Sequence, residues 1–268
     1  MTSSDNLFPS NAPNESEGED SDEMRMPLLE HLRELRHRLV VSLAATLIGV
    51  LLCFTWVEPI WNFLVDPMND AIEELGRGTM AINEPLEGFM TYLKVAGLAG
   101  VLCASPVIFY QAWKFMAPGL YPKEKKTVVP LVICSTLLFF AGAGFGYSVI
   151  FRFMFPFFLE VTTADIEPVL SISSYLGIAT KLLLAFGFCF QLPVVIFFLS
   201  RIGLIHHRDM ISGFKYAVVG IFVVASLITP PDLLSQFLMA GPLIILYGFG
   251  IIVSRIFSTK PLNPDADA

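Results

Sequence analysis

Six stretches of this chain are too apolar and too long to lie against water. They fall at about 39–56, 88–110, 128–150, 175–200, 214–228 and 234–253. A helix rises 1.5 Å per residue and the hydrocarbon core of a bilayer is about 30 Å thick, so about 20 apolar residues in a row reach across it. The first four runs meet that length. The fifth is short, and the sixth carries Pro242. Short spans are accommodated by local thinning of the bilayer or by packing on longer neighbours. Composition agrees: 54% of the residues are hydrophobic, 24 are Phe, and 15% are charged, against about 25% charged in an ordinary soluble domain. The expected fold class is therefore an all-α polytopic membrane protein with six transmembrane helices.

The basic residues orient it. Thirteen of the 17 Lys and Arg fall before run 1, between runs 2 and 3, between runs 4 and 5, or after run 6. The alternate segments hold Arg77 and Arg152, with Lys94 and Lys181 near the ends of runs. Lys and Arg gather in cytoplasmic loops, so both termini are expected in the cytoplasm, an arrangement that needs an even number of spans. The net charge of −7 belongs to the N-terminal tail: residues 1–24 hold seven acids and no Lys or Arg. With few bulky side chains to bury, residues 1–26 are expected to be a disordered acidic tail. Residues 27–255 then form the membrane domain, and 256–268 a short cytoplasmic tail. No basic region followed by a short apolar stretch marks a cleavable signal peptide, so the first span is expected to insert and stay.

Several function classes find no support. Cys53, Cys103, Cys134 and Cys189 are scattered singly in or beside apolar runs, without CxxC or a Cys/His cluster, so neither zinc nor a redox pair is indicated. No metal or cofactor is assigned, and His31, His37, His206 and His207 have no ligand-like spacing. A secondary transporter places several polar groups at the membrane midplane, often in inverted repeats. Here the spans offer mainly Gln191, with Lys94 and Lys181 read as snorkelling to the outer interface. A membrane-embedded enzyme would need paired acids, His or Cys at depth, and no phosphate-binding loop occurs. The outer segments 57–87 and 152–174 are expected to form short caps, the first with an amphipathic stretch at 67–75. Thr229-Pro230-Pro231-Asp232 is expected to turn tightly, because two prolines cannot continue a helix.

Two cytoplasmic segments hold the functional candidates. In LLEHLRELRHRL (28–39), Leu28, Leu32, Leu35 and Leu39 recur at helical spacing, leaving Glu30, Arg33, Glu34, His37 and Arg38 on other faces. The segment serves either as an interfacial anchor or as a helix presenting the Glu34 carboxylate. The second segment, ASPVIFYQAWKFMAPGLYPKEKK (104–126), ends a helix in aromatics and a Pro-Gly turn. A basic loop with an aromatic belt accounts for all of it except Glu124, set among Lys123, Lys125 and Lys126.

Four blocks in order, HLRELRHRL, SPVIFYQAWKFMAPGLYPKEKK, AFGFCFQLPV and TPPDLLSQ, resemble the signature blocks of the TatC family, and the similarity runs over about residues 27–255. The resemblance implies a non-enzymatic receptor for twin-arginine signal peptides in the bacterial inner membrane. It also implies single-span partners of the TatA and TatB type, homo-oligomers within the complex, and export of folded proteins driven by the proton-motive force. Carried over by position, Glu34 and Glu124 would engage the two arginines, with Arg36, Arg38 and Phe115 as further recognition residues. A guanidinium pairs with a carboxylate through a rigid fork of donors, and each such pair is worth on the order of 1–3 kcal/mol. Pro67, Asp232 and Gln236 match outer-side positions of structural or partner-binding character. Gln191 departs from the family, where many members place an intramembrane Glu. It keeps hydrogen-bonding capacity without charge, for a neighbouring subunit or for its own helices.

Overall fold

A helix that is apolar all round rather than on one stripe has its backbone paired internally and its side chains free to meet lipid. The computed structural model describes residues 16–116, 128–161, 168–229 and 233–257, with residues 16–30 as backbone only. The elements are α1 (Ser16–Phe54), α2 (Val57–Leu75), β1 (Thr79–Ala81), α3 (Glu87–Met116), α4 (Val128–Phe145), a π turn (Gly146–Ile150) and α5 (Phe151–Val161). There follow β2 (Val169–Ser171), α6 (Ile172–Cys189), α7 (Leu192–Arg201), α8 (His207–Ser212), α9 (Phe214–Ile228) and α10 (Leu233–Phe257). Among the described residues five helical runs are long and apolar enough to cross a bilayer: His31–Phe54, Glu87–Met116, Val128–Val161, Ile172–Arg201 and Leu233–Phe257. The 15-residue α9 is the short sixth span.

Three boundaries differ from those expected. Helix α1 begins at Ser16, so residues 16–26 of the acidic segment lie in helix. Glu is a good helix former, and acids suit the positive end of a helix dipole. The third span does not stop near residue 150 but runs on to Val161 through the π turn, with Pro156 inside α5. The segment 57–87 is more than a cap: α2 is a 19-residue amphipathic helix with Pro67 in its interior.

Close packing depends on small residues where helices meet. Helices α1 and α3 run antiparallel, and Gly49 lies against Gly100. A methyl group added at Gly49 would come to 2.7 Å from the Gly100 carbonyl oxygen, and one at Gly100 to 2.6 Å from the Val50 nitrogen. Small residues at such crossings let backbones approach and gain dispersion contacts that lipid does not replace. The opposite side of α1 is left to lipid, with Leu43, Leu47 and Leu51 exposed. The main core gathers around α6, whose Leu176, Ala179, Leu182 and Phe186 are buried and which packs chiefly on α4 and α3. A smaller cluster of Trp113, Leu131, Val194 and Phe198 closes the other end of the bundle.

The α2–α5 end is tied by polar contacts. Strands β1 and β2 pair in parallel, Thr79 with Val169 and Ala81 with Ser171. The buried Glu87 carboxylate joins them to α3: one oxygen accepts from the Ser171 hydroxyl (2.6 Å) and the Ser173 N–H (2.7 Å), the other from the N–H groups of Asn83 (2.5 Å) and Glu84 (3.3 Å). Lys94 donates to the Ser173 hydroxyl at 2.8 Å, so its ammonium ends in this network and not simply at a water interface.

Candidate functional site

Because α1 and α3 are antiparallel, the N-terminal half of one lies beside the C-terminal end of the other. This brings the two sequence candidates together. The His31 ring stacks on Phe115, centroids 4.4 Å apart and planes 16° apart. Arg38 donates through Nε to Glu34 Oε1 at 3.1 Å and makes a second contact to the same oxygen through Nη2. Its Nη1 reaches Gln111 Oε1 at 3.4 Å. The polar side chains at 31, 34 and 38 recur at helical spacing and form the face turned to α3, whereas Leu32 and Leu39 are exposed. The amphipathic helix is thus arranged for lipid, with its polar face inward.

The Glu34 side chain is 37% exposed and that of Arg38 only 11%. The second carboxylate oxygen, Oε2, lies 4.0 Å from His31 Nδ1, beyond hydrogen-bond distance. Glu34 is therefore a partly exposed carboxylate with one oxygen engaged by a resident guanidinium and the other without a donor at hydrogen-bond distance among the described residues. Such a group accepts a further cation at Oε2 without first losing the pair it has. Arg36 points elsewhere: it is exposed and makes no hydrogen bond or ion pair among the described residues. Glu124 lies outside the described residues, as do Pro230, Pro231 and Asp232. His31, Gln111 and Lys114, which stands 5.6 Å over the Tyr110 ring, were not singled out by sequence. His31 lies three residues before Glu34 and Gln111 four before Phe115, which was the available signal for those two.

Gln191 sits where the fourth span breaks. Helix α6 ends at Cys189 and α7 restarts at Leu192, because Pro193 has no N–H to continue the ladder. The Gln191 carbonyl accepts from the N–H groups of Val194 and Val195, each at 3.0 Å. Its side-chain amide donates to the Ser135 carbonyl of α4 at 2.8 Å, and Trp113 Nε1 donates to the Ser135 hydroxyl at 2.8 Å. One N–H of the amide thus has its partner within the chain, on α4.

Pro67 is buried inside α2. Lacking an N–H, it leaves the carbonyl four residues back unpaired. That carbonyl, of Phe63, accepts instead from the Tyr147 hydroxyl at 2.6 Å, and the next one, of Leu64, from Tyr175 at 2.6 Å. The π turn places Tyr147 there. Gln236 donates to the Phe222 carbonyl at 3.1 Å, joining α10 to α9.

The family model described as Sec-independent protein translocase protein (TatC) matches residues 30–242. A Sec-independent protein translocase protein TatC of Desulforapulum autotrophicum is 43% identical over 92% of this chain and 91% of its own length. One from Helicobacter pylori is 38% identical over 90% and 93%. A crystal structure of the twin arginine translocase receptor TatC superposes with a TM-score of 0.76 at 34% identity, covering 85% of this chain and 99% of that one. With the polar face of α1 set against the end of α3 and six spans behind it, this chain belongs to the TatC family of Sec-independent protein translocase proteins.

Proposed function

We propose that the α1–α3 face is the signal-peptide site of a twin-arginine translocase receptor in a bacterial inner membrane, with both termini cytoplasmic. The Glu34 carboxylate supports this reading most directly. It is partly exposed, held at one oxygen by Arg38, with His31, one turn before it, stacked on the Phe115 ring. One arginine of the peptide takes Oε2 of Glu34, and the second takes Glu124. Phe115 and His31 give the peptide an aromatic wall, and Arg36 contributes from the adjoining exposed face of α1. With Arg38 bound to Glu34, the described groups of this face carry no excess of acid, so the second carboxylate is needed to receive a doubly charged motif. TatA- and TatB-type single-span subunits and further copies of this chain join it, and the proton-motive force drives passage of the folded cargo. Pro67 and Gln236 contribute by holding the helices that those partners contact, Gln191 by its polar amide within the membrane, and Asp232 by the outer-side role that the family resemblance implies.

A photo-reactive twin-arginine peptide is expected to crosslink around residues 31–38 and 115 in membranes containing the protein. The Glu34→Ala/Glu124→Ala double variant is expected to lose that crosslink, and a twin-lysine peptide to give much less of it. Unchanged crosslinking in the double variant would sink the assignment.

A further inference from the structure

The cytoplasmic end of α3 is held from two opposite sides. Residues two apart on a helix stand about 200° from each other. Trp113 therefore faces away from Gln111 and Phe115, which lie four apart on the side turned to α1. On the far side Trp113 is buried with Leu131, Val194 and Phe198, its ring edge-on to Phe198 with centroids 5.2 Å apart. The indole N–H donates to the Ser135 hydroxyl on α4 at 2.8 Å, and the Ser135 carbonyl accepts from the Gln191 amide at 2.8 Å. Gln191 stands in the break between α6 and α7. One serine thus joins the end of α3, helix α4 and the break in the fourth span.

This bridge lies deeper than the face it supports. Ser135 is seven residues along α4 from Val128, or about 10 Å at helical rise. Gln191 is ten residues before Arg201, or about 15 Å. All three side chains are buried, and at that depth no water replaces a lost hydrogen bond. The contact at 191 is also directional. A carbonyl must be met by an N–H or O–H donor, which Gln supplies and a carboxylate does not. A Glu at this position makes the contact only as the neutral acid.

We propose that Gln191, Ser135 and Trp113 are positioning residues for the recognition face. A donor at 191, acting through Ser135 and Trp113, sets the rotation of the α3 end and with it the places of Gln111 and Phe115. The proposal rests on the reading of the α1–α3 face as the signal-peptide site. With α3 fixed from behind, Gln111 meets Arg38 and Phe115 meets His31 before a peptide arrives, so binding bears no cost for ordering them. Releasing Trp113 lets the end of α3 turn about its axis, and both contacts turn with it.

The test uses the full chain in nanodiscs, with a labelled twin-arginine peptide read by fluorescence anisotropy. In a Trp56→Phe/Trp61→Phe background Trp113 is the one tryptophan of the chain, and a fluorine-labelled tryptophan there gives a single NMR resonance. Gln191→Met keeps the length of the side chain and removes the donor. It is expected to shift that resonance without peptide and to weaken binding about fivefold, the ratio for one neutral hydrogen bond. Trp113→Phe is expected to weaken binding equally, and Trp113→Phe/Gln191→Met no further, because either change breaks the same chain. Ser200→Ala is the control. It removes a buried hydroxyl on α7 that donates to Ser254 at 2.8 Å, apart from the bridge, and is expected to alter neither binding nor the resonance. Folding of each variant is checked by the helical circular dichroism signal. Failure of the unaltered chain to bind the peptide sinks the peptide-site reading and this proposal with it. Where the unaltered chain binds, undiminished binding by Gln191→Met overturns the proposal alone. So do a Trp113 resonance unmoved by Gln191→Met, additive losses in the double variant, and a loss in Ser200→Ala as large as that in Gln191→Met.

Discussion

At the scale of single residues, the pair Glu34–Arg38 raises the question of why a receptor for arginines carries an arginine on its own carboxylate. Stability is a weak answer, because an exposed i, i+4 ion pair contributes only about 0.3–0.5 kcal/mol. Geometry is a better one. Both Nε and Nη2 of Arg38 meet Oε1 while Nη1 reaches Gln111, so the carboxylate is fixed in rotation and Oε2 is aimed outward. A fixed carboxylate selects for a rigid planar donor, whereas a freely turning one accepts an ammonium equally well. Arg38→Gln is therefore expected to leave the fold intact and to lower the preference for a twin-arginine over a twin-lysine peptide by about tenfold, one charge-assisted hydrogen bond's worth of discrimination. Peptide binding by fluorescence anisotropy in detergent measures both affinities. A preference unchanged in Arg38→Gln would mean that Arg38 does not orient Glu34.

At the scale of elements, the spans were legible because burying a backbone in lipid leaves a long, unmistakable apolar run. Run 214–228 coincides with α9, and the break near Pro193 is where α6 gives way to α7. What could not be read were contacts made by turning a helix beyond the bilayer. Nothing in the pattern of Arg152–Val161 says that α5 continues the third span, and nothing marks Glu87 as the acceptor of four donors from three segments. Pro67 illustrates the difference. Sequence sets it at the start of an amphipathic stretch, 67–75, yet it lies inside α2, and the freed Phe63 carbonyl is taken by a tyrosine 84 residues away. Tyr147→Phe is expected to lower stability by about 1 kcal/mol, the net worth of a typical intramolecular hydrogen bond. In a Pro67→Ala background, where α2 regains its own N–H, the same change is expected to cost less than half as much. A double-mutant cycle on thermal unfolding in detergent measures the coupling; additive effects would separate the proline from the tyrosine.

The same limit applied to the cysteines, which are isolated in sequence. Helix α1 against α3 brings Cys53 Sγ and Cys103 Sγ to 3.7 Å as free thiols, a proximity between helices that spacing along the chain does not show. A membrane-permeant oxidant such as molecular iodine is expected to join them within one chain. The product would be seen as protection of both thiols from alkylation, reversed by reductant and absent in Cys103→Ser. Persistent alkylation of both thiols after oxidation would place α1 and α3 in another register, and with it the seating of His31 on Phe115.

At the scale of the whole molecule, one end holds the α1–α3 recognition face, the start of α4 and the ends of α7 and α10, and the other holds α2, α5 and the β1–β2 pair. The candidate peptide site thus lies at the end of the spans away from α2, α5 and the strand pair. A receptor with this division can bind its signal at one surface while its neighbours and lipids pack around the other. The division depends on orientation, which rests on the uneven Lys and Arg alone: 13 on one side, with Arg77 and Arg152 on the other. Positive charges are retained on the cytoplasmic side because moving each across the membrane potential is costly, about 2.3 kcal/mol per 100 mV. In a background with the four native cysteines replaced by serine, Arg77→Cys is expected to react with a membrane-impermeant maleimide in intact cells, and Arg36→Cys only after permeabilisation. The reverse pattern would turn the molecule over and place the Glu34 carboxylate on the wrong side to meet a precursor arriving from the cytoplasm.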